Sequence, residues 1–271
     1  MALLGALGAA GCEKPTQRPA ILAVPAARSD DEGRPLRLLP PFALATANDA
    51  VVRIVSDVTC SGTLVAEDLV LTAHHCVVAR DAKGRPLHRN LPARDLGIEL
   101  GGDHLPWGEV KVRAVVAPDC GYHSGEGDIA ILVLSRKLIG IPTITLREAP
   151  PQRGEHVFPV GFGRCAASHD AVRRVAREGG LVDSVRAGQF GARASVCPGD
   201  SGGPVCVSPS AADACSEIVG VVSAAVMDGD DRTTGPAVYT RVDAWKGLLW
   251  AAREIADGAS PSEVPPYGGC E

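Results

Sequence analysis

Residues 197–204 read CPGDSGGP and place Ser201 among three glycines and two prolines. Glycine accepts left-handed torsions without steric cost, so this composition predicts a tight turn that exposes the serine hydroxyl. Such a turn leaves the backbone N–H groups of Gly199 and Ser201 pointing the same way. Two such donors beside a nucleophile suit acyl transfer, whose tetrahedral intermediate carries negative charge on oxygen. On this motif alone, a Gly-rich turn that happens to hold a serine is the alternative.

A serine hydroxyl needs an oriented base to take its proton, and two upstream segments supply candidate parts. Residues 71–76, LTAHHC, place histidine beside cysteine at the end of an apolar run. Residues 126–134, EGDIAILVL, place Asp128 at the start of an apolar strand. The chain order is therefore His, Asp, Ser. The α/β-hydrolase fold is the other large group of proteins with a Gly-x-Ser-x-Gly motif, and there the catalytic histidine comes after the serine in the chain. No histidine follows Ser201, which excludes that fold.

These three segments resemble the trypsin/chymotrypsin family of serine endopeptidases, with weaker matches at residues 161–163, 219–223 and 238–242. The resemblance spans roughly residues 43 to 257. It implies an all-β fold of two six-stranded antiparallel β-barrels with a C-terminal helix. It also implies hydrolysis of peptide bonds in protein or peptide substrates through an acyl-enzyme, without a cofactor.

The resemblance implies a catalytic triad of His75, Asp128 and Ser201, and an oxyanion hole made by the N–H groups of Gly199 and Ser201. A buried carboxylate needs a partner, which an imidazole N–H can supply. Ser223 occupies the family position whose hydroxyl also bonds this carboxylate. For Asp128 the alternative is a capping aspartate in a turn.

His75 is assigned as the base because it adjoins Cys76. His74 stands where the family usually has a small residue, and we expect its side chain to point outwards. The resemblance also implies a disulfide between Cys60 and Cys76 that braces the histidine, with two buried thiols as the alternative.

The family's substrate-binding positions fall on four small residues, Ser195, Ser223, Ala225 and Ala237. Methyl groups on the pocket walls predict cleavage after small or medium aliphatic residues. The competing hypothesis is that three loop aspartates reach the pocket and favour basic residues: Asp228, Asp230 and Asp231. In many relatives a cysteine of this loop pairs with the one before Gly-Asp-Ser. Residues 224–236 contain no cysteine, so the sequence departs from the family there.

A second departure concerns activation. Most relatives are cut to expose an Ile-Val-Gly-Gly terminus, whose ammonium pairs with the aspartate before the serine. That aspartate is Asp200, but no Ile-Val-Gly-Gly precedes Cys60. Either Asp200 has another partner, as in some bacterial relatives, or the terminus is made at an unrecognised site. An unactivated zymogen or a catalytically silent binding module is therefore the alternative function.

The N-terminal region resembles an export signal of an exported, bacterial member of the family. Residues 1–12 are apolar and end in AAGC, similar to a lipoprotein signal with Cys12 as a lipid anchor. An ordinary buried helix is the alternative. Residues 13–42 hold six prolines and predict a tether or pro-segment. A cell-envelope lipoprotein or a secreted protein is expected.

Residues 43–257 are predicted to form the protease domain. We expect barrel one at about 43–140, barrel two at about 141–242 and a helix at 243–257 with Asp243 as N-cap, followed by a tail over 258–271. Within barrel one, residues 80–107 are Arg-, Pro- and Gly-rich and predict surface loops without paired carboxylates, and hence no metal.

The nine cysteines leave an even number if Cys12 is lipidated. Beyond the pair that braces the histidine, proximity and then elimination suggest Cys206–Cys215, Cys165–Cys197 and Cys120–Cys270, although sequence does not fix connectivity. The net charge of −5 and the lack of basic clusters argue against nucleic acid as a partner. We expect a monomer.

Overall fold

The computed structural model describes residues 36–38 (backbone alone), 47–102, 106–119, 127–165, 172–207, 215–231 and 233–264. All of them fall within Pro35–Glu271, one of the two units into which contacts divide the chain. The predicted export signal, Cys12, most of the tether and the Cys120–Cys270 pair lie outside the described residues.

Strands make up most of the regular secondary structure of the described residues. They are β1 (Leu36–Leu38), β2 (Val51–Val55), β3 (Thr59–Ala66), β4 (Leu69–Thr72), β5 (Val78–Arg80), β6 (Pro86–Asn90), β7 (Gly97–Leu100), β8 (Gly108–Val116), β9 (Ala130–Leu134), β10 (Arg136–Leu138), β11 (Thr145–Leu146), β12 (His156–Gly161), β13 (Val175–Ala176), β14 (Gly180–Val185), β15 (Gln189–Ala192), β16 (Pro204–Val207), β17 (Glu217–Ala224) and β18 (Ala237–Arg241). One α-helix follows, α1 (Lys246–Ala256).

Six antiparallel strands close the first barrel in the order β2-β3-β4-β9-β8-β7. A strand buried on one face alternates apolar and polar residues, as β7 and β8 do. In contrast, β9 reads AILVL and is buried throughout, because α1 packs against it in addition to the barrel core. This difference in burial explains why β9 is a continuous apolar run.

The second barrel closes in the order β17-β16-β12-β14-β15-β18, with β18 pairing back onto β17. Its core centres on the aromatic pair Phe190 and Tyr239, whose ring centroids are 5.1 Å apart. The predicted fold class, two six-stranded antiparallel barrels with a C-terminal helix, is confirmed.

One barrel strand lies where surface loops were predicted. Gly97–Leu100 forms β7 and closes barrel one between β2 and β8, and β5 and β6 form a separate two-stranded hairpin. The loop prediction for residues 80–107 is therefore wrong at β7. Ile98 and Leu100 are buried and alternate with half-buried residues, as in a strand with one buried face. This alternation covers only four residues, too few to be recognised as a strand in an Arg- and Pro-rich segment.

The helix α1 begins later than expected. A single 3-10 turn, Asp243–Trp245, precedes it, and no side chain caps either segment. The Asp243 carboxylate is instead bonded by the Arg241 guanidinium, so the N-cap prediction is wrong. At the other end, Arg113 Nη2 donates to the carbonyls of residues 255 and 256, and the first of these also accepts a hydrogen bond from the Gly258 N–H at 3.1 Å. No helix in the described part of the chain has the length and apolar character needed to cross a membrane.

Three disulfides are present among the described residues: Cys60–Cys76, Cys165–Cys197 and Cys206–Cys215. The first ties β3 to the turn that follows β4. The second ties the segment after β12 to the turn that carries Ser201. Disulfides persist in oxidising compartments, so these bonds are consistent with an exported protein.

Candidate active site

Strand pairing brings His75 and Asp128 together. β4 and β9 are antiparallel, with Thr72 opposite Ala130, so the end of one strand meets the start of the other. His75 lies three residues beyond Thr72, in a 3-10 turn, and Asp128 lies two residues before Ala130. The apolar runs that pair the two strands therefore also place an imidazole beside a carboxylate.

Both oxygens of the Asp128 carboxylate are hydrogen-bonded to His75. The His75 backbone N–H donates to Oδ1 at 2.9 Å, and His75 Nδ1 lies 2.8 Å from Oδ2. Because an ionised carboxylate only accepts, Nδ1 carries the proton and Nε2 is the acceptor of the neutral ring. Ser223 Oγ also donates to Oδ2 at 2.5 Å, and Thr240 Oγ1 donates to the Asp128 carbonyl at 3.0 Å.

These contacts keep Asp128 ionised although it is buried. Burial opposes ionisation, but the Coulombic interaction with His75 and the hydrogen bonds from His75 and Ser223 together outweigh it and lower the pKa of Asp128. Ser223 and Thr240 lie on β17 and β18, whereas Asp128 precedes a strand of the first barrel. The carboxylate is thus held by both barrels.

Ser201 lies next to His75 across the Cys60–Cys76 disulfide. Cys76 Sγ is 3.7 Å from His75 Nε2 and 3.6 Å from the Ser201 carbonyl oxygen. That carbonyl also accepts a 2.8 Å hydrogen bond from the backbone N–H of Ser61 on β3. Among the described residues no hydrogen bond joins Ser201 Oγ to His75 Nε2. Such bonds are commonly long without substrate and tighten in the Michaelis complex.

The turn around Ser201 leaves two backbone donors open. Gly199 has φ +100°, a conformation that favours glycine. The amides of Asp200 and Gly202 donate to backbone carbonyls at 3.0 and 2.8 Å. The amides of Gly199 and Ser201, which alternate with them, have no acceptor within the described part of the chain. These are the two donors that the sequence assigns to the oxyanion.

Asp200, the residue between those donors, is completely buried and paired with Arg177. Arg177 Nε is 2.7 Å from Oδ2 and Nη2 is 3.0 Å from Oδ1. The backbone N–H groups of Cys197 and Gly163 donate to the same two oxygens at 2.7 and 2.8 Å. The sequence left two alternatives for Asp200, a partner other than the N-terminal ammonium or a terminus made at an unrecognised site. The structure shows the first, because Arg177 is the partner.

The sequence matches the family model described as Trypsin over residues 45–249, more than half of the chain. The chain belongs to the trypsin family. It is 28% identical over 234 residues to Serine protease Hayan of Drosophila melanogaster, a match covering 72% of this chain and 35% of that protein, so the chain spans about a third of Hayan's length. It is 32% identical over 197 residues to the Cercarial protease of Schistosoma mansoni, covering 60% of this chain and 69% of that protein.

Among solved structures, the trypsin-family fold is shared with the scabies mite inactivated protease paralogue S-D1. The TM-score is 0.60 at 17% identity, with 82% of this chain and 96% of that chain covered. At this identity the likeness concerns the fold alone.

The second histidine of the motif points inwards, not outwards. His74 is 6% exposed, and its Nε2 lies 2.7 Å from Asn90 Oδ1 on β6. Burial lowers its pKa, and the hydrogen bond with Asn90 opposes this shift only in part. In a 3-10 turn successive side chains point about 120° apart, so when His75 faces Asp128 its neighbour faces the β5–β6 hairpin. The expectation of an outward-pointing His74 is wrong.

The four predicted pocket positions differ in burial. Ser195 and Ala225 are half-buried, whereas Ser223 and Ala237 are buried in β17 and β18. The Ser195 backbone N–H donates to the Glu178 carbonyl at 2.9 Å.

Thr233 joins the two segments that carry Ser195 and Ala225. Its Oγ1 accepts from the Val196 N–H and donates to the Val196 carbonyl, both at 3.0 Å. This contact adjoins Cys197, the cysteine that in many relatives pairs with this loop, and here pairs with Cys165. Two hydrogen bonds therefore hold the loop where those relatives have a disulfide.

The loop aspartates face solvent to different degrees. Asp228 and Asp230 are exposed, and the Asp228 carboxylate accepts a hydrogen bond from the Asp230 N–H at 2.9 Å. Asp231 is half-buried and has φ 55°. Exposed carboxylates are solvated, so the exposure of Asp228 and Asp230 gives the basic-residue hypothesis no support.

Cys60, His75 and Cys76 form the one group of three potential metal ligands found in the described ranges. Both sulfurs are in the disulfide and provide no thiolate, and His75 Nδ1 is directed at Asp128. This group does not fit a metal ion.

Sequence reasoning missed four polar residues around the site. Arg177 and Thr233 gave no local signal, because each acts on a partner far away in the chain. Thr240 lies in the weaker family match at residues 238–242, which assigned its hydroxyl no role. Asn90 is the last residue of β6, and asparagine is common in turns. Its residue type therefore predicts a turn but not a hydrogen bond to the buried ring of His74.

Proposed function

We propose that this trypsin-family chain is a serine endopeptidase whose nucleophile is Ser201, whose base is His75 and whose orienting carboxylate is Asp128. The observation that carries the proposal is the pair of hydrogen bonds from His75 to Asp128, which orients the ring and makes Nδ1 the donor, so that Nε2 is the basic nitrogen of the neutral ring. A base with the wrong tautomer or a free ring would not support this role.

In the proposed reaction, His75 Nε2 takes the Ser201 proton as Oγ attacks the scissile carbonyl. The imidazolium that forms is stabilised by Asp128 and then gives its proton to the leaving amine. The N–H groups of Gly199 and Ser201 stabilise the oxyanion, and loss of one such donor costs roughly 3–4 kcal/mol of transition-state stabilisation. Water then releases the acyl group from Ser201 by the reverse steps.

A fluorophosphonate probe on the purified full-length chain tests the proposal. The probe reacts with a serine that a base and an oxyanion hole activate, so the wild-type chain should be labelled and Ser201→Ala should not. Ser223→Ala is a comparison variant: it removes a hydroxyl that bonds Asp128 but keeps the nucleophile, so it should still be labelled. Labelling of Ser201→Ala at the wild-type rate would contradict the assignment.

We further propose cleavage after small or medium aliphatic residues. Ser195 offers no charge to pair with arginine or lysine, and Ala225 and Ala237 place methyl groups where many relatives have glycine. Chromogenic peptides ending in Ala, Val, Leu, Phe and Arg should be cleaved fastest in the aliphatic series. A preference for Arg would overturn this and favour the three loop aspartates.

The second candidate is a catalytically silent binding module with the protease fold. One observation favours it: among the described residues no hydrogen bond joins Ser201 Oγ to His75 Nε2. The same labelling experiment separates the candidates, because folded wild-type chain that is not labelled, before or after limited proteolysis, would support the silent module.

We propose that the protein is exported, either secreted or held at the cell envelope through a lipid on Cys12. The three disulfides support an oxidising compartment. Expression with radiolabelled palmitate should label the wild-type chain and not Cys12→Ala. Equal labelling would argue against an anchor at this cysteine.

A further inference from the structure

We propose that Arg177 is the resident cation that holds the oxyanion turn in its working conformation, so that the chain is competent without a newly cut N-terminal ammonium. Arg177 is a positioning residue here, since it acts through Asp200 and not on substrate. This inference rests on the proposed endopeptidase function.

The position of Asp200 makes its counterion important. Asp200 lies between Gly199 and Ser201, whose backbone N–H groups are the two open donors. The contacts of the Asp200 side chain therefore fix the conformation of the turn and the direction of these two N–H groups. A fully buried carboxylate without a cation is strongly destabilising, and the turn would move to reach solvent or another partner. Whatever neutralises Asp200 therefore decides whether the two N–H groups converge.

The carboxylate has no acceptor position left for a second cation. Each oxygen accepts one bond from the guanidinium and one from a backbone N–H, those of Cys197 and Gly163. The bidentate geometry is the strong, oriented form of the arginine–carboxylate pair. An incoming ammonium would have to displace Arg177 from a site where Asp200 is fully buried and the Arg177 side chain is 12% exposed.

The fold holds Arg177 in place independently of Asp200. It follows β13, which pairs with the end of β12, and its backbone N–H donates to the Pro159 carbonyl at 2.8 Å. Its Nη2 also bonds the Gly163 carbonyl. The guanidinium is thus anchored to the second barrel by backbone contacts.

The segment after β12 is shaped to admit this pair. A Cβ at Gly163 would lie 2.6 Å from Asp200 Cγ, and one at Gly161 would lie 2.5 Å from Asp200 Oδ1. The disulfide Cys165–Cys197 and a 2.9 Å bond from the Arg164 N–H to the Pro198 carbonyl tie the same segment to the turn. The oxyanion turn is therefore held by the Arg177–Asp200 pair and by the disulfide and hydrogen bond to the segment after β12, without cleavage of the chain.

The test compares Arg177→Ala with Arg174→Ala in the full-length chain. Arg174 is a matched control, since it is equally buried and bonds Asp49 and the Val51 carbonyl, not Asp200. We expect the fluorophosphonate labelling rate of Arg177→Ala to fall roughly 10²–10³-fold, the effect of losing an oxyanion donor. For peptide substrates kcat should fall and KM should change little. Arg174→Ala should label within a few-fold of wild type.

Chemical rescue separates positioning from general destabilisation. Millimolar guanidinium or methylguanidinium should restore part of the Arg177→Ala rate and leave Arg174→Ala unchanged. Acetylating or extending the N-terminus of the wild-type chain should not change its labelling rate. Arg177→Ala labelled as fast as wild type, or wild type inactivated by blocking its terminal amine, would overturn the inference.

Failure of the proposed function gives a different pattern. In that case neither wild type nor Ser201→Ala is labelled, and amide hydrogen exchange in residues 197–203 becomes the readout. Faster exchange in Arg177→Ala than in wild type and Arg174→Ala would still support the positioning role. Equal exchange in all three would overturn it.

Discussion

Replacing both Cys60 and Cys76 by alanine tests whether their disulfide positions the active site or only stabilises the fold. The bond spans a sequence separation of 16, for which loop-closure entropy gives about 3 kcal/mol of stability. Cys206–Cys215 spans 9 and gives about 2.5 kcal/mol by the same relation, so it is a matched control. Each double alanine variant should lower Tm by about 5–12 °C in a domain of this size.

Activity should separate the two variants where stability does not. Cys76 Sγ touches both His75 and the Ser201 backbone, so its loss frees the two groups to move apart. A misplacement of about 1 Å costs about 10²-fold in rate, which is the loss of labelling rate expected at a temperature where both variants are folded. The Cys206/Cys215 variant should stay within a few-fold of wild type. Equal losses in both variants would refute the positioning role of the first disulfide.

Three further changes test the site. Asp128→Asn should lower kcat about 10⁴-fold at neutral pH, because its NH₂ would face the imidazole Nδ1 and select the wrong tautomer, as in the Ser-His-Asp template. Burial lowers the pKa of His74 below its usual value of 6.5. Near that pH the imidazole therefore takes up a proton in the unfolded state but not in the folded state, and the free energy of unfolding falls as the pH drops through about 6.5. His74→Gln, which can still bond Asn90, should flatten this loss of Tm between about pH 7.5 and 5.5. Thr233→Val leaves the Val196 N–H unbonded at a cost of about 1–3 kcal/mol, and KM for the peptide panel should rise without loss of labelling by the small probe.

The sequence was most informative where residue type alone dictates local geometry. The glycines around Ser201 predict a tight turn with left-handed torsions, and the apolar runs at residues 69–72 and 130–134 predict buried strands. Once those strands pair, the places of His75 and Asp128 follow, because each lies within three residues of a strand end. The fold class was predictable because the same residues that carry the motifs also build the barrels.

Side-chain direction in short elements was less predictable. His74 and His75 are neighbours in a 3-10 turn, and only the partner of each ring decides which one faces Asp128. The sequence ranks them through the adjoining Cys76, but it holds no signal for Asn90, 16 residues on, which satisfies the other ring. Asp243 has the residue type of an N-cap, and a neighbouring guanidinium at Arg241 takes its carboxylate instead.

Arg177 marks the limit of prediction from sequence for a different reason. It sits 23 residues before Asp200 in an unremarkable stretch, and its guanidinium reaches the carboxylate only because β13 folds back onto β12. The lack of an Ile-Val-Gly-Gly motif before Cys60 left two alternatives, another partner for Asp200 or a terminus made at an unrecognised site, and charge alone does not choose among many arginines. The glycines at 161 and 163 leave the space that the Asp200 carboxylate occupies beside Arg177. A departure from the family pattern in one place is thus compensated by a residue that only the three-dimensional fold identifies.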